Sequence, residues 1–497
     1  MPTEPQNDGR HLFIHLDRVR RWDAGIYQRF PQPEKVPITG LEPGGPDSCD
    51  ARVAEIYGSV LIEDGVFRMW YSVMPDALSH AENADHFYAA YAESDDGIHW
   101  RKPDLKITGQ ERFPGNNLLS LPGAVMGVVR ALPGAEWKYL AAVTQLGLEK
   151  GVSEEFGYQD NGGGTYLYVS DDGLHWRQLT KEPVAQQGDV SCIFADPRSN
   201  RYLLYQKVGQ FHGFDLRRSF VCMESKDGAN WEGTETWRDS FVCDDYDDMQ
   251  AMQAGFRIAD HYGVAIYRAG DTYISVEDIF LMGDPLRLEY AQNPVGLYKF
   301  RLGFSRDGSH WRHPKGRPTW LEPDAPGEWG AGFGVSANTF VEHDDHLLLY
   351  YGASLYDHGW SIEEDFRLRT NIPLEEQRDT SRVILARIRK DRFASLSATY
   401  KGVIAVDPSR PAKADELFIN ALCPNGSIRV AFSPLEKQEE ILPGFGFDDC
   451  IPFIGDETRA PVEFRNKKLS DLPDEDLMLH FEITRGEIFG FEWRQSQ

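Results

Sequence analysis

The sequence predicts an all-β protein, a five-bladed β-propeller with a C-terminal β-sandwich. Three observations carry this prediction. A phrase of the form Ser-x-Asp-Gly-x-x-Trp occurs four times, beginning at Ser94, Ser170, Ser225 and Ser305. Short alternating apolar runs of strand length precede each copy. Residues 399–497 keep a period of two and show no helical stripe. Recurrence of one phrase at such intervals marks a repeated supersecondary unit.

The first element is a proline-containing segment, residues 1–45, expected to lie as a strap over one outer face. The propeller is expected over 46–398. Blade one draws on 55–60, 67–71 and 87–92, and blade two on 125–130, 137–143 and 165–169. Blade three uses 190–194, 202–207 and 219–224, and blade four 253–258, 262–267 and 297–304. Blade five uses 334–341, 347–352 and 383–388, with Arg389-Lys390-Asp391-Arg392-Phe393 where the phrase should stand. Asp-Gly is a tight-turn dipeptide: the aspartate bonds nearby amides, and glycine tolerates positive φ. The tryptophan then opens a short return strand. The phrase therefore reads as a hairpin lock, and its histidines at 99, 175 and 310 as turn residues, not metal ligands. Radial repetition of such blades removes exposed sheet edges. In 399–497, Pro424-Asn425-Gly426 separates two strand runs, and Leu477, Leu479, Phe481 and Ile483 alternate. A small sandwich docked directly on the propeller is expected.

Composition narrows the function classes. The net charge of −26 is spread along the chain and opposes binding to nucleic acid or an anionic membrane. No run of about eighteen apolar residues exists to span a bilayer. Cysteines at 49, 192, 222, 243, 423 and 450 show neither metal spacing nor a disulfide framework. They read as reduced buried thiols of a cytoplasmic protein. The start at Met1 lacks a secretory pattern, although a mature domain freed of its signal would look the same.

The segments Tyr91-Ala92-Glu93-Ser94-Asp95-Asp96-Gly97-Ile98-His99-Trp100, Phe67-Arg68-Met69-Trp70-Tyr71 and Leu349-Tyr350-Tyr351-Gly352, with the five blades and the C-terminal β unit, resemble the five-bladed propeller glycoside hydrolases of families 43, 32 and 68. The phrase is also similar to the sialidase Asp-box. Blade one lacks the family 32 signature Trp-Met-Asn-Asp-Pro-Asn-Gly, and Ala195 stands where an Arg-Asp-Pro motif would place its arginine.

The resemblance implies three acidic residues in a central funnel, contributed by the innermost strands of different blades. Glycosidic cleavage needs two of them, one protonated as acid and one ionised as nucleophile or base. Glu55 heads blade one and is expected to be nucleophile or base. Asp189 heads blade three, and Asp244, Asp245, Asp247 and Asp248 crowd the start of blade four. Asp189 and Asp248 are expected to be acid and modulator, in either order. Close packing of the four aspartates should raise at least one pKa, or the four could hold a structural Ca²⁺; no organic cofactor is required. Arg218, Tyr273, Trp329 and His358 are expected to contact sugar hydroxyls or stack on the ring. Residues 145–163 form a long insertion suited to the mouth of the site or to a contact between copies, so a homo-oligomer is compatible with the chain. The expected function is an exo-acting glycoside hydrolase on a terminal fructofuranoside or arabinofuranoside. Two alternatives stand beside it. A glycoside phosphorylase of the family 130 type would need Arg, Lys and His gathered on phosphate beside one acid. A non-catalytic carbohydrate-binding propeller would need only a lined funnel.

Overall fold

The computed structural model describes residues 9–51, 53–75, 87–107, 113–145, 164–186, 188–212, 215–232, 238–283, 296–332, 334–355, 357–358, 381–408, 410–411 and 414–496. The insertion expected to shape the mouth lies almost wholly outside these residues. Four short strands open the chain: β1 (Arg10–Leu12), β2 (Val19–Trp22), β3 (Ile26–Arg29) and β4 (Glu34–Pro37). Five antiparallel sheets follow. Blade one comprises β5 (Val53–Glu63), β6 (Val66–Met74), β7 (Tyr88–Ser94) and β8 (Trp100–Arg101). Blade two comprises β9 (Ala124–Arg130), β10 (Tyr139–Gln145), β11 (Gly164–Ser170) and β12 (Arg177–Gln178). Blade three comprises β13 (Ser191–Asp196), β14 (Arg201–His212), β15 (Asp215–Ser225) and β16 (Arg238–Phe241). Helix α1 (Asp245–Gln253) leads into blade four, built from β17 (Ile258–Ala269), β18 (Thr272–Met282), β19 (Gly296–Ser305) and β20 (Thr319–Leu321). Blade five holds β21 (Gly334–Ser336), β22 (Val341–His343), β23 (His346–Ser354) and β24 (Ser381–Arg389). The chain ends in β25 (Ser395–Val406), β26 (Glu416–Pro434), β27 (Phe453–Pro461) and β28 (Leu477–Arg494).

The inner strands β5, β9, β13, β17 and β21 neighbour one another in a closed ring. Blade five takes its outermost strand from the N-terminus: β4 pairs with β24 through Val36 opposite Leu385. The ring is thus closed by joining the two ends of the propeller. Each pair of neighbouring blades shares an apolar cluster. Trp70 and Tyr139 lie between blades one and two, Leu140 and Leu204 between two and three, Ile274 and Leu349 between four and five. Tyr139 and Leu140 are adjacent yet serve different clusters, because successive side chains of a strand face opposite ways. Both faces of a middle strand are therefore buried, and runs such as Tyr139–Val143 read as nearly continuous apolar sequence.

Asn338, between β21 and β22, stitches the ring at its centre. Its Nδ2 donates to the carbonyls of Gly58 (3.3 Å) and Met126, its Oδ1 accepts from Ile193 N (3.0 Å), and its carbonyl accepts from Ile266 N (2.8 Å). One side chain and its own backbone so reach blades one to four from blade five.

The four phrases fold alike. Ser94 Oγ accepts from Gly97 N at 2.9 Å, and Asp96 Oδ1 accepts from Ile98 N and His99 N, both at 2.8 Å. The same bonds recur around Asp172, Asp227 and Asp307. The glycines sit at φ between +74° and +80°, where a side chain would be strained. Three of their carbonyls also tie neighbouring blades together: Tyr350 OH donates to Gly97 O (2.8 Å), Trp70 Nε1 to Gly173 O (2.7 Å) and Tyr205 OH to Gly308 O (2.6 Å).

Three sequence expectations need correction. The described part of the expected strap, from residue 9, does not lie on an outer face: β1, β2 and β3 pair with β28 and β25, and β4 completes blade five. The C-terminal unit is one seven-stranded antiparallel sheet, where two packed sheets were expected, and it begins at Ser395. Strands β26 and β28 run for 19 and 18 residues, and shifts of register at Asn420/Ala421 and Leu422/Ser427 let them bend around Phe13, Phe432 and Phe481. Blade four starts later than expected, because 245–253 is helical and 258–269 is the inner strand. The expected direct docking is present. Arg392 Nε donates to Asn420 Oδ1 (2.9 Å), and its Nη2 lies 2.6 Å from Asp456.

Candidate active site

Glu55 is placed by the opening residues of the blade-one inner strand. It stands opposite Ser72, and pairing with β6 resumes only at Ser59, so Ile56–Gly58 bulge from the ladder. Bulges re-aim side chains beside functional sites. Gly58 is required here, since a Cβ would overlap the carbonyl of Trp70. Gly352 of β23 leaves room for the acid: a Cβ there would lie 3.1 Å from Glu55 Cγ. Glu55 is 6 % exposed, and among the described residues its Oε1 has no hydrogen-bond partner. Burial pushes its pKa up to about 8, so the group is largely a neutral acid at pH 7.

Asp189 precedes β13, the blade-three inner strand. Lys207, from the middle strand β14, places its Nζ 2.7 Å from Asp189 Oδ1 and 3.7 Å from the ring centroid of Tyr262. Burial pushes the Asp189 pKa up, but the Lys207 ammonium and then Arg218 outweigh it, and the net shift is downward. Burial lowers the Lys207 pKa to about 8 against the pull of Asp189. The Asp189 side chain keeps 47 % of its surface exposed and stays reachable from solvent. Glu55 and Asp189 therefore hold opposite protonation states near pH 7. Two carboxyl groups divided this way supply an acid and a base.

Both carboxyl groups act on the same phenols. Each raises the pKa of Tyr57 and of Tyr262, after the larger effect of burial, and the two phenols hydrogen-bond to each other. Around them stands an aromatic wall. Phe280 stacks on Tyr298 with centroids 4.7 Å apart, and Tyr262 meets Tyr298 edge-on at 5.0 Å. His358 joins the wall, with Nε2 3.2 Å from Tyr262 OH and its ring 5.0 Å from Phe280. The guanidinium of Arg218 lies 5.8 Å from Tyr262 and 5.6 Å from Phe280. Such a wall can take the apolar face of a sugar while the cations and phenols address its oxygens.

The structure thus brings together Glu55, Asp189, Arg218 and His358. It places Asp248 and Tyr273 elsewhere. Asp248 lies on α1, with both oxygens on Arg217 (3.0 and 3.2 Å) and Oδ1 on Ala259 N (3.0 Å). Arg217 and Arg218 are consecutive in β15 and point to opposite faces, so the partner of Asp248 is the one turned from the wall. Tyr273 pairs with Ser305 at the turn-phrase end of blade four, donates to Asp196 and carries Arg268 over its ring at 4.8 Å. Trp329 lies in the loop before β21, with Arg382 over its ring at 4.6 Å. In the cluster at 244–248, Asp244 and Asp247 shift down, against the expected rise. Asp244 caps α1 and binds Arg317 (2.6 Å twice), and Asp247 binds Arg301 and Arg317. The bonds from Arg317 bring the Asp244 pKa down to about 2, and Asp247 is also shifted down, where burial is outweighed by Arg301. Among the described residues no group of three or more acidic, histidine or cysteine side chains could hold a metal. Of the loop expected around His358, Asp357 and His358 are described, whereas Tyr356, Gly359 and Trp360 lie outside the described residues.

Sequence reasoning missed Lys207, Tyr262, Phe280 and Tyr298. Lys207 had a visible signal, a lone cation at the end of Tyr202-Leu203-Leu204-Tyr205-Gln206, where a buried charge demands a partner. The three aromatics had none, since they look like any residues of apolar strands.

No family model matches this chain. Two uncharacterized proteins from strains of Mycobacterium tuberculosis are 27 % identical to it over 192 residues, 35 % of this chain and 51 % of theirs. The chain spans about half the length of these curated relatives. Solved structures of similar fold include an N-acetylgalactosamine deacetylase from F. plautii in complex with blood group B trisaccharide. It is 14 % identical, with TM-score 0.46 over 73 % of this chain and 96 % of that one. A family 32 β-fructofuranosidase of Bombyx mori is 12 % identical, with TM-score 0.39 over 88 % and 90 %. A third, described as a family 130 glycoside hydrolase targeting β-1,2 mannosidic linkages, is 13 % identical, with TM-score 0.40 over 72 % and 95 %.

Proposed function

We propose that this protein is a glycosidase whose general acid is Glu55 and whose ionised partner is Asp189. The observation that carries the reading is the division of the two carboxyl groups around Tyr57 and Tyr262: one is buried and neutral, the other is ion-paired and charged. Glu55 donates its proton to the glycosidic oxygen as the bond to the anomeric carbon breaks. Asp189 either attacks that carbon or takes a proton from the attacking water. This exchanges the roles expected from sequence, because burial, with no counter-ion among the described residues, makes Glu55 the acid. Lys207 keeps Asp189 ionised and is a positioning residue. The substrate class is a terminal furanoside, a fructofuranoside or arabinofuranoside, on the resemblance of the blade phrases to families 43, 32 and 68.

A second reading has its own observation. Lys207, Arg218 and His358 all converge on Tyr262, and a lysine, an arginine and a histidine beside one acid are what phosphate binding in a phosphorolytic enzyme needs. One experiment separates the two. A panel of nitrophenyl furanosides and pyranosides, with inulin, levan and arabinan oligomers, is incubated with and without inorganic phosphate, and products are identified. Free sugar released regardless of phosphate supports hydrolysis. A sugar 1-phosphate formed only with phosphate supports phosphorolysis. Binding without turnover in either condition refutes both and leaves a carbohydrate-binding propeller.

A further inference from the structure

A cleft of about 480 Å³ lies where the propeller meets the C-terminal sheet, lined by Arg10, Arg198, Lys390, Arg459 and Arg494 with Asp391 and Glu492. Five cations against two carboxylates is an unusual balance in a chain of net charge −26. The cations come from distant parts of the sequence: β1, the turn after β13, the residue after β24, β27 and β28. Only the assembled fold gathers them.

The two carboxylates do not cancel the excess. Glu492 serves both Arg459 Nε (3.3 Å) and Arg494 Nε (2.6 Å), one negative charge between two guanidinium groups. Both bonds use the inner nitrogen, so the Nη groups of neither arginine are taken by that carboxylate. The two side chains keep 44 % and 50 % of their surface exposed, and Phe418 packs 3.9 Å from the Arg459 guanidinium and holds it flat. Asp391 is buried, receives Tyr267 OH (2.8 Å) and Arg10 Nη1 (3.2 Å), and burial shifts its pKa upward. Lys390 meets Glu342, which lies outside the lining.

We propose that this cleft binds a small ligand of sugar size that carries more than one anionic oxygen, as phosphate or carboxylate. Its volume falls in the range of small-molecule sites, and guanidinium forks match the geometry of both groups. The site is separate from the funnel. Asp189 precedes β13 and Arg198 follows it, so the two lie at opposite ends of that strand, roughly 20 Å apart. The cleft also touches both units of the chain, so an occupant would brace their junction.

Calorimetric titration of the full-length protein tests the proposal, with inorganic phosphate, glucose 6-phosphate, a galacturonic acid dimer and uncharged glucose as probes. Saturable binding of at least one anion is expected, weakening as salt rises, with glucose silent. The phosphate and galacturonate arms show which oxyanion is preferred. Binding should weaken at least tenfold in R459A/R494A, and in K390A if the double variant does not fold. It should persist in K207Q/R218Q, which alters only the funnel. Absence of binding by every anion overturns the proposal. So does binding that the funnel variant abolishes and the cleft variants leave unchanged.

Discussion

Lys207 Nζ lies 2.7 Å from Asp189 Oδ1 and caps the ring of Tyr262 at 3.7 Å. A strand lysine so placed does two things at once: it keeps the neighbouring carboxylate ionised and packs on the phenol ring beside it. Replacing Lys207 by Met should therefore raise the Asp189 pKa, with burial unopposed apart from Arg218. The acidic limb of kcat/KM is expected to move to higher pH, with the rate loss growing as pH falls below neutral. A pH–rate profile of the variant checks this. A limb that stays in place would make the lysine purely structural.

The Glu55 carboxyl is neutral in the fold up to about pH 8 and ionises near its ordinary value when unfolded. Between those values the folded state binds the extra proton, so stability falls as pH rises. Glu55→Gln should remove that dependence. Urea midpoints are expected to agree for the two proteins below about pH 4, and the variant should gain on the order of a few kcal/mol by pH 9.

Gly127 faces Asn338 Nδ2 so closely that a Cβ would overlap it. Gly127→Ala should displace the asparagine from the carbonyl of Met126 and cost about 2–3 kcal/mol. Asn338→Ala should cost more, since it strips the buried Ile193 amide of its acceptor. Equilibrium unfolding of both variants measures the loss. Equal stability to the parent would show that the inner ring does not depend on this residue.

Asp248 should be dispensable for turnover and needed for stability. Asp248→Ala leaves Arg217 with Asp260 and the Ala259 carbonyl, and a cost of about 1–3 kcal/mol is expected without a change in kcat. A large loss of kcat at unchanged stability would return Asp248 to the catalytic machinery.

Much of the architecture was legible because the phrase carries its own chemistry. Ser94, Asp96 and Gly97 close their turn with local bonds, so recurrence of these residue types reports recurrence of the hairpin. Blade four was misread at its start because Asp244 is an N-cap, and Asp-Asp-Tyr-Asp-Asp looks equally like a self-repelling loop. Nothing local marks β4 as the closing strand of blade five, nor residues 10–29 as part of the C-terminal sheet. Both pairings join segments more than three hundred residues apart. In the site, Glu55 was visible as a charge heading an apolar strand. Its role was not, since the upward shift of its pKa comes from burial, a property of packing from several blades.

The central claim is that Glu55 is the proton donor, and leaving-group dependence tests it most directly. A general acid matters for a leaving group that must be protonated and little for one that departs as an anion. Wild type and Glu55→Gln should be compared on an alkyl glycoside and on the dinitrophenyl glycoside of the same sugar. The expected result is a loss of about a thousandfold on the alkyl substrate and less than about tenfold on the activated one. Equal losses on both would make Glu55 the nucleophile, and no loss on either would move the acid to another residue.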